Sequence, residues 1–451
     1  MSMSCTLQHA QPHTNNHTPT ERNSAFRVTV ELIFLIRLVR RLEEPPIRGS
    51  NMAIGWDGTC WFIPGPTWLT PAVLEGLAQP TMTHRSPEFK VVMAELHGRL
   101  RHSFALSPTT TEVGQQSQEG EDGYSVVVVS GSGTAAMEMV IANRFGPQDR
   151  VLVPTNGKFG ERVAQICEKF TCVTHIKGEW GRTFDLGEID SILSNGEFNG
   201  LAICHNETSA GITQDAPELA RIAEKHGVSF ILDGITSVGG LPVYPAEWGA
   251  EAVVVGGQKC TAGPSGISAV AVSESYIQKM IENREKERSL PVYYLDLIQA
   301  LKKAADDQTP WTPSINLCTG WVAALREQDQ EGIEKRWERC ESLANGVRNL
   351  FTSLGFELFA DENQRSNTVT AIFYPEPDWG EEWRRWMAVE QDTHVIGGQD
   401  HVKGRIFRVG TMGVTSKEEM IEGCRRMIDG FRHFGMDIPP HDYLDVESYF
   451  R

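Results

Sequence analysis

The sequence predicts an α/β fold: a large domain with a mostly parallel, mixed sheet covered by helices, then a smaller α+β domain. Three observations carry that prediction. Between residues 124 and 273, short apolar runs alternate with helical segments, the order that builds parallel strands through crossover helices. Two of these runs, Val228-Ser-Phe-Ile-Leu-Asp233 and Glu251-Ala-Val-Val-Val-Gly-Gly-Gln-Lys259, lead to a charged residue, and open α/β sheets bind ligands at the carboxyl ends of their strands. Beyond about residue 305 the alternation gives way to a long helical run and short strands.

Met1 to Asn23 is rich in His, Thr, Asn and Gln without hydrophobic period, and is expected to be disordered. The apolar run 26–42 is broken by Arg27, Glu31, Arg37, Arg40 and Arg41. It is too short and too charged to span a bilayer and lacks the layout of a secretory signal. Residues 1–51 therefore read as a disordered extension, or as residues upstream of a true start at Met52. A targeting helix bearing arginines is the remaining reading.

The large domain is expected over 52–305, opening with an arm at 52–80. Helical periodicity covers 88–106, and the Ser/Thr/Gln/Gly/Glu-rich stretch 107–123 reads as a mobile low-complexity insert. Strands are predicted at 124–129, 150–154, 172–175, 200–205, 228–233 and 252–255, with helices at 133–144, 160–170, 187–193 and 217–226 between them. A further strand at 267–273 and a helical run at 290–305 follow. The smaller domain, 306–451, is expected to hold one long helix at 321–354, strands at 356–360, 368–374 and 405–409, and closing helices within 381–391 and 417–434. There is no internal repeat.

At 451 residues the chain has room for two to three domains and an ample core. Its 40% hydrophobic and 22% charged residues are those of a soluble enzyme. A formal net charge of −17 argues against a nucleic-acid binder and against polybasic membrane attachment. The nine cysteines, at 5, 60, 167, 172, 204, 260, 318, 340 and 424, form no C-x-x-C pair and no zinc spacing, so no metal is expected. They read as free thiols in a reducing compartment, the cytoplasm. Asn206-Glu-Thr208 matches a glycosylation sequon, but it follows a buried-looking strand and reads as accidental.

Asp233 and Lys259 are each ambiguous alone, since strand-terminal Asp residues often cap turns and most lysines are solvated. Together they are the pair that pyridoxal phosphate chemistry needs: a lysine for the Schiff base and an acid at the pyridine nitrogen. A lysine just beyond a buried strand has its pKa lowered by desolvation, which frees the amine as a nucleophile. The loop Ser130-Gly-Ser-Gly-Thr134 follows a strand and opens a helix. It fits a phosphate cup, with backbone N–H groups and the Ser132 and Thr134 hydroxyls as donors, without matching a nucleotide fingerprint.

With these residues in view, the chain resembles the class V family of fold-type I pyridoxal-phosphate aminotransferases. Within it the chain is most similar to the alanine–glyoxylate / serine–glyoxylate (serine–pyruvate) group. The resemblance spans about 60–434. It rests on Pro64-Gly-Pro-Thr67, Thr83-His-Arg-Ser-Pro-Glu-Phe89, Ser130-Gly-Ser-Gly-Thr-Ala-Ala-Met-Glu138, His205-Asn-Glu-Thr-Ser-Ala-Gly211, the Asp233 and Lys259 motifs, and Arg405-Ile-Phe-Arg-Val-Gly410.

The resemblance implies that Lys259 bonds the cofactor and then shuttles a proton, while Asp233 pairs with the pyridine nitrogen. It places Ile235 under the ring, Phe159 on the opposite face, and Thr208 at the phenolic oxygen. Ser132, Gly133, Thr134 and Gln258 take the phosphate, and Thr312 reaches the phosphate of a partner subunit. Arg408 is the expected fork for the substrate α-carboxylate, the bland alternative being a structural salt bridge. Arg85 could meet a second anionic group or merely cap a turn. Gly65 and Pro66 fit a tight loop near the substrate amine.

The expected reaction is ping-pong transamination between a small amino acid, alanine or serine, and a 2-oxo acid, glyoxylate or pyruvate, in a homodimer with shared sites. An acidic donor (aspartate, phosphoserine or aminoethylphosphonate) is the alternative. A cysteine desulfurase is disfavoured because no cysteine lies between Cys340 and Cys424, and because Gln258 stands where such sequences usually carry His. A catalytically silent binding protein is disfavoured because every cofactor position holds a competent residue.

Overall fold

The computed structural model describes residues 58–108 and 121–451. The expectations for 1–51, and for most of the insert 107–123, lie outside the described residues. At the centre is a seven-stranded sheet of β1 (Tyr124–Val129), β2 (Arg150–Thr155), β3 (Cys172–Lys177), β4 (Gly200–Cys204), β5 (Ser229–Asp233), β6 (Ala252–Gly256) and β7 (Ser268–Ser273), in spatial order β1-β7-β6-β5-β4-β2-β3. Pairing is parallel from β3 through β2, β4 and β5 to β6, whereas β7 runs antiparallel to both β6 and β1. The two reversals cancel. The carboxyl ends of β1, β4, β5 and β6 therefore share one edge.

Successive side chains of each strand point to opposite faces, and here both faces are apolar. Val126, Val128, Leu201, Ile203, Phe230, Leu232, Val253 and Val255 join one core, packed against helices Pro87–Ser103, Ala216–Lys225 and Ile315–Glu331. Val127, Val129, Ala202, Ile231, Ala252 and Val254 join the other, against helices Gly133–Arg144, Lys158–Phe170 and Glu274–Glu285. Burial on both faces explains why these strands read as continuous hydrophobic runs rather than alternating ones. Each buried Val, Leu, Ile or Phe contributes about 1.5–3 kcal/mol.

The C-terminal part carries a second sheet of β8 (Val369–Phe373), β9 (Ile396–Gly397) and β10 (Ile406–Gly410), antiparallel throughout with β10 in the middle. It has its own core, in which Phe351, Phe356, Trp383, Phe407 and Phe431 pack ring on ring. Before the large sheet, Cys60–Trp61 pairs in parallel with Thr393–His394, so the arm is stitched to residues more than three hundred positions later in the chain.

Several boundaries differ from the sequence reading. The single helix expected at 321–354 is two, Ile315–Glu331 and Ile333–Ser353, because Gly332 adopts φ 89°, ψ 134° and breaks the hydrogen-bond ladder. Glu331 bridges the break, binding Arg336 and Arg339 at 2.6 Å each. The strand expected at 356–360 is reduced to a bridge between Leu358 and Ile372, as the chain turns away to hydrogen-bond Gly181 through Asp361. The helical run at 290–305 shortens to Leu297–Ala304, started by the Asp296 cap on the Gln299 N–H. Helices Pro71–Leu77 and Glu274–Glu285, and the hairpin Asn206–Glu207/Ile212–Thr213, were not anticipated. The Asn206 side chain is buried and donates to Thr236 O and Thr368 Oγ1 at 2.8 Å, which closes the sequon to modification. The eight described cysteines are unpaired. Among the described residues no helix is long and apolar enough to cross a membrane.

Candidate active site

The shared carboxyl edge of the large sheet opens into a cavity of about 200 Å³. Ser132, Gly133, Thr134, Phe159, Asp233, Ile235, Gln258 and Lys259 line it, so eight of the residues singled out in the sequence converge there. Met137, Arg162, Val163, Ile166, Cys204 and Thr236 complete the wall.

Each position follows from its element. Asp233 is the last residue of β5, and its Oδ1 accepts the Ile235 N–H at 3.0 Å, which turns the loop beneath it. Burial pushes the Asp233 carboxyl up to about 6. Lys259 lies in the turn after β6, and burial pulls its amine down to about 8. That amine donates to Pro64 O at 2.9 Å. The arm is strapped over the same turn: Thr67 N donates to Gln258 O at 3.0 Å, and Thr67 Oγ1 to Lys259 O at 3.2 Å. Gly65, at φ +85°, lies against the lysine. A Cβ there would stand 2.3 Å from Lys259 Cδ and 2.6 Å from Nζ, so a side chain at this position is excluded.

Helix Gly133–Arg144 begins at the cavity with no side-chain cap, which leaves its first N–H groups for an anion. Gly133 also has no room for a side chain, since a Cβ would meet Ile235 Cδ1 at 2.5 Å. The buried Gln258 Oε1 has no protein partner. That oxygen is an acceptor and calls for a hydrogen-bond donor, because buried polar atoms are rarely left unpaired.

Arg408 is on β10, opposite Ala371 and Ile396, and is 2% exposed. It makes no salt bridge among the described residues. Instead Nε and Nη2 donate to Gly397 O at 3.1 and 2.7 Å, and Nη1 to Thr208 O at 2.8 Å. Two of its five N–H groups remain for a ligand. Burial lowers its pKa to about 10, and it stays a cation at neutral pH. Thr208 is buried in the hairpin beside it.

Two expected residues lie elsewhere. Arg85 binds Gln308 Oε1, Thr309 O and Pro310 O at 2.8, 2.9 and 3.2 Å, so it holds a loop. Thr312, on the continuation of that loop, faces Ser130, Tyr294 and Trp311 rather than the Lys259 cavity of its own chain. Three features escaped the sequence reading: Arg162, whose guanidinium lies 5.0 Å above the Phe159 ring; the Pro64 carbonyl; and Glu207. The i,i+3 spacing from Phe159 to Arg162 was the available signal for the first. No local pattern marks the other two.

The model of the class V aminotransferases matches residues 82–384. The chain belongs to that family. An uncharacterized aminotransferase of Methanocaldococcus jannaschii is 34% identical over 80% of this chain and 89% of its own. The serine–glyoxylate aminotransferase of Hyphomicrobium methylovorum is 30% identical over 80% of this chain and 87% of its own. Among solved structures, the alanine–glyoxylate aminotransferase of Nostoc sp. superposes with a TM-score of 0.75 at 27% identity, over 87% of this chain and 98% of that one.

The protein is thus a fold-type I aminotransferase that depends on pyridoxal phosphate. The cavity residues fit that cofactor. The uncapped helix suits a phosphate, the buried carboxylate suits a ring nitrogen, and the desolvated amine suits an aldehyde.

Proposed function

We propose that this aminotransferase moves an amino group from a small amino acid, alanine or serine, to glyoxylate or pyruvate. The observation that carries the proposal is the buried Arg408, held by carbonyls alone and near enough to Lys259 for its charge to help lower the lysine's pKa. A guanidinium without a carboxylate partner is an unfilled fork for a substrate carboxylate. The arm backbone at Pro64-Gly65 lies directly on Lys259, so the room beside the amine is narrow. Relatives named for serine–glyoxylate and alanine–glyoxylate transfer support the same donors.

Pyridoxal phosphate, when bound, supplies the electron sink that stabilises negative charge at the substrate Cα. Asp233 holds a proton at the pyridine nitrogen. Ser132, Gly133, Thr134 and Gln258 would hold the phosphate, Phe159 and Ile235 would flank the ring, and Thr208 would meet its phenolic oxygen. Arg408 orients the substrate carboxylate. Lys259, neutral in good part near pH 8, would accept the proton from the substrate Cα and deliver it to the cofactor's aldehyde carbon. Pro64 O gives its ammonium form a place to rest.

Cys204 lines the cavity, but burial raises its thiol pKa well above the usual value, so it is not the thiolate a desulfurase needs. Arg162 favours a second reading. It lines the cavity as an exposed guanidinium with no ion pair among the described residues, and would suit an acidic donor. We further infer a homodimer, with Thr312 reaching the partner's phosphate; the exposed Tyr293, stacked on Trp311, and Tyr294 mark the surface.

The test is a donor panel of alanine, serine and aspartate against the bound cofactor, read as its absorbance change in single turnovers. Faster reaction with alanine or serine supports the proposal. Preference for aspartate, lost in Arg162→Ala, would replace it with the acidic-donor reading.

A further inference from the structure

Glu207 sits on the first strand of the hairpin Asn206–Glu207/Ile212–Thr213 and is fully buried. Its Oε2 accepts the N–H groups of Phe159 at 2.9 Å and Gly160 at 2.8 Å. Its Oε1 accepts the Ser209 N–H at 3.0 Å and the Ser209 hydroxyl at 2.6 Å. Ser209 Oγ in turn accepts the Lys158 N–H at 2.9 Å. Helix Lys158–Phe170 starts from Gly157, which has no side chain with which to cap it. The hairpin therefore satisfies the three leading N–H groups of the helix from outside.

The packing leaves no slack. A Cβ on Gly157 would lie 2.2 Å from Glu207 Cγ. Three backbone N–H groups and the Ser209 hydroxyl face the carboxylate; burial raises its pKa, while these bonds and the helix N-terminus favour its ionised form. Between Glu207 and Ser209, Thr208 gives its carbonyl to Arg408 Nη1 at 2.8 Å. One three-residue segment thus holds the helix that carries Phe159 and the guanidinium of Arg408.

We propose that Glu207 is a positioning residue that joins Phe159 and Arg408 into one rigid unit, setting the distance between the face of the cofactor and the substrate carboxylate. The proposal rests on the roles assigned above to Phe159 and Arg408. It predicts that loosening Glu207 weakens two ligands at once, although its side chain touches neither.

Glu207→Gln tests it with little change of shape. An amide presents its oxygen to one donor pair and must turn its NH2 against the other. Losing one charge-assisted pair corresponds to about a tenfold effect. Titration of the apo-protein with pyridoxal phosphate, followed by tryptophan fluorescence, should show cofactor affinity about tenfold weaker. At saturating cofactor, KM for the amino acid should rise about tenfold while kcat changes by less than about threefold. The visible circular dichroism of the bound cofactor should fall.

Ser209→Ala keeps the carboxylate and its three backbone N–H bonds but removes the hydroxyl's bonds to Glu207 Oε1 and from the Lys158 N–H, so it should shift the same quantities in the same direction by about threefold. It carries the test if Glu207→Gln does not fold. Variants that lose thermal stability but keep cofactor affinity, KM and the visible dichroism within about twofold would reduce Glu207 to a helix cap and overturn the proposal. If the wild-type enzyme reacts with none of the amino acids tested, the donor assignment fails instead. The cofactor titration needs no turnover and keeps the two failures apart.

Discussion

Burial of Lys259 can be tested before any substrate is added. With the amine lowered from 10.5 to about 8, about a tenth of it is neutral at pH 7, against about 0.03% for an exposed lysine, a gain of ~300-fold in nucleophile. Mixing apo-protein with pyridoxal phosphate by stopped flow should therefore give a capture rate that climbs about tenfold per pH unit below pH 8 and then bends to a plateau. Stability follows the same proton. The unfolded amine keeps its proton up to 10.5, so between pH 8 and 10.5 the unfolded state binds more protons than the folded one. Stability of the apo-protein rises across that window, and the full penalty of about 3 kcal/mol is present below pH 8. Lys259→Met keeps the length and removes the charge. It should be more stable than wild type at pH 7, lose the rise above pH 8 and capture no cofactor. A rate still climbing at pH 10, or a bend that survives in Lys259→Met, would falsify the desolvation argument.

Asp233→Asn removes the charge that faces the ring nitrogen and should lower kcat about 100-fold, with far-ultraviolet dichroism unchanged. Arg408→Lys replaces a fork by a point charge and strands the Gly397 and Thr208 carbonyls; KM for the amino donor should rise about 10- to 100-fold in steady-state assays. Gly332→Ala forces a side chain to φ +89° and should cost about 1–2 kcal/mol in a urea melt while leaving kcat/KM intact. A Thr312→Ala variant should weaken cofactor binding only in the dimer, so its defect should disappear on dilution below the dimer dissociation constant; a defect independent of concentration would place Thr312 in its own chain's site.

Asp233, Lys259 and the Ser132–Thr134 loop were legible because each is a local event, a buried strand followed by a turn whose residue types suit one job. The same locality explains the misses. Glu207 lay in plain view in the His205–Gly211 motif, yet its burial depends on a helix that begins fifty residues earlier in the chain. Arg85 read equally as an anion ligand or as a cap, because the loop it binds lies more than two hundred residues away. Gly332 was visible as a glycine, but helical periodicity on both sides hid the break. The strand expected at 356–360 has the right composition, but the turn toward Gly181 limits it to a bridge at Leu358, flanked by the bonds Phe373 N to Glu357 O and Phe359 N to Ala371 O.

The arm over Lys259 also dictates an order of events in biosynthesis. Trp61 N waits for Glu419 Oε1 at 3.1 Å, and Phe62 O for the Gly410 N–H at 2.7 Å. Pro64 O waits for the amine of Lys259. These contacts join residues separated by about 195 to 358 positions, and such non-local closures come late. On the ribosome the large sheet and the Pro64–Thr67 contacts with its lysine turn can form before the arm's outer anchors exist. Until Gly410 and Glu419 have emerged, the arm can be held over Lys259 only by its contacts with Gln258 and Lys259 themselves.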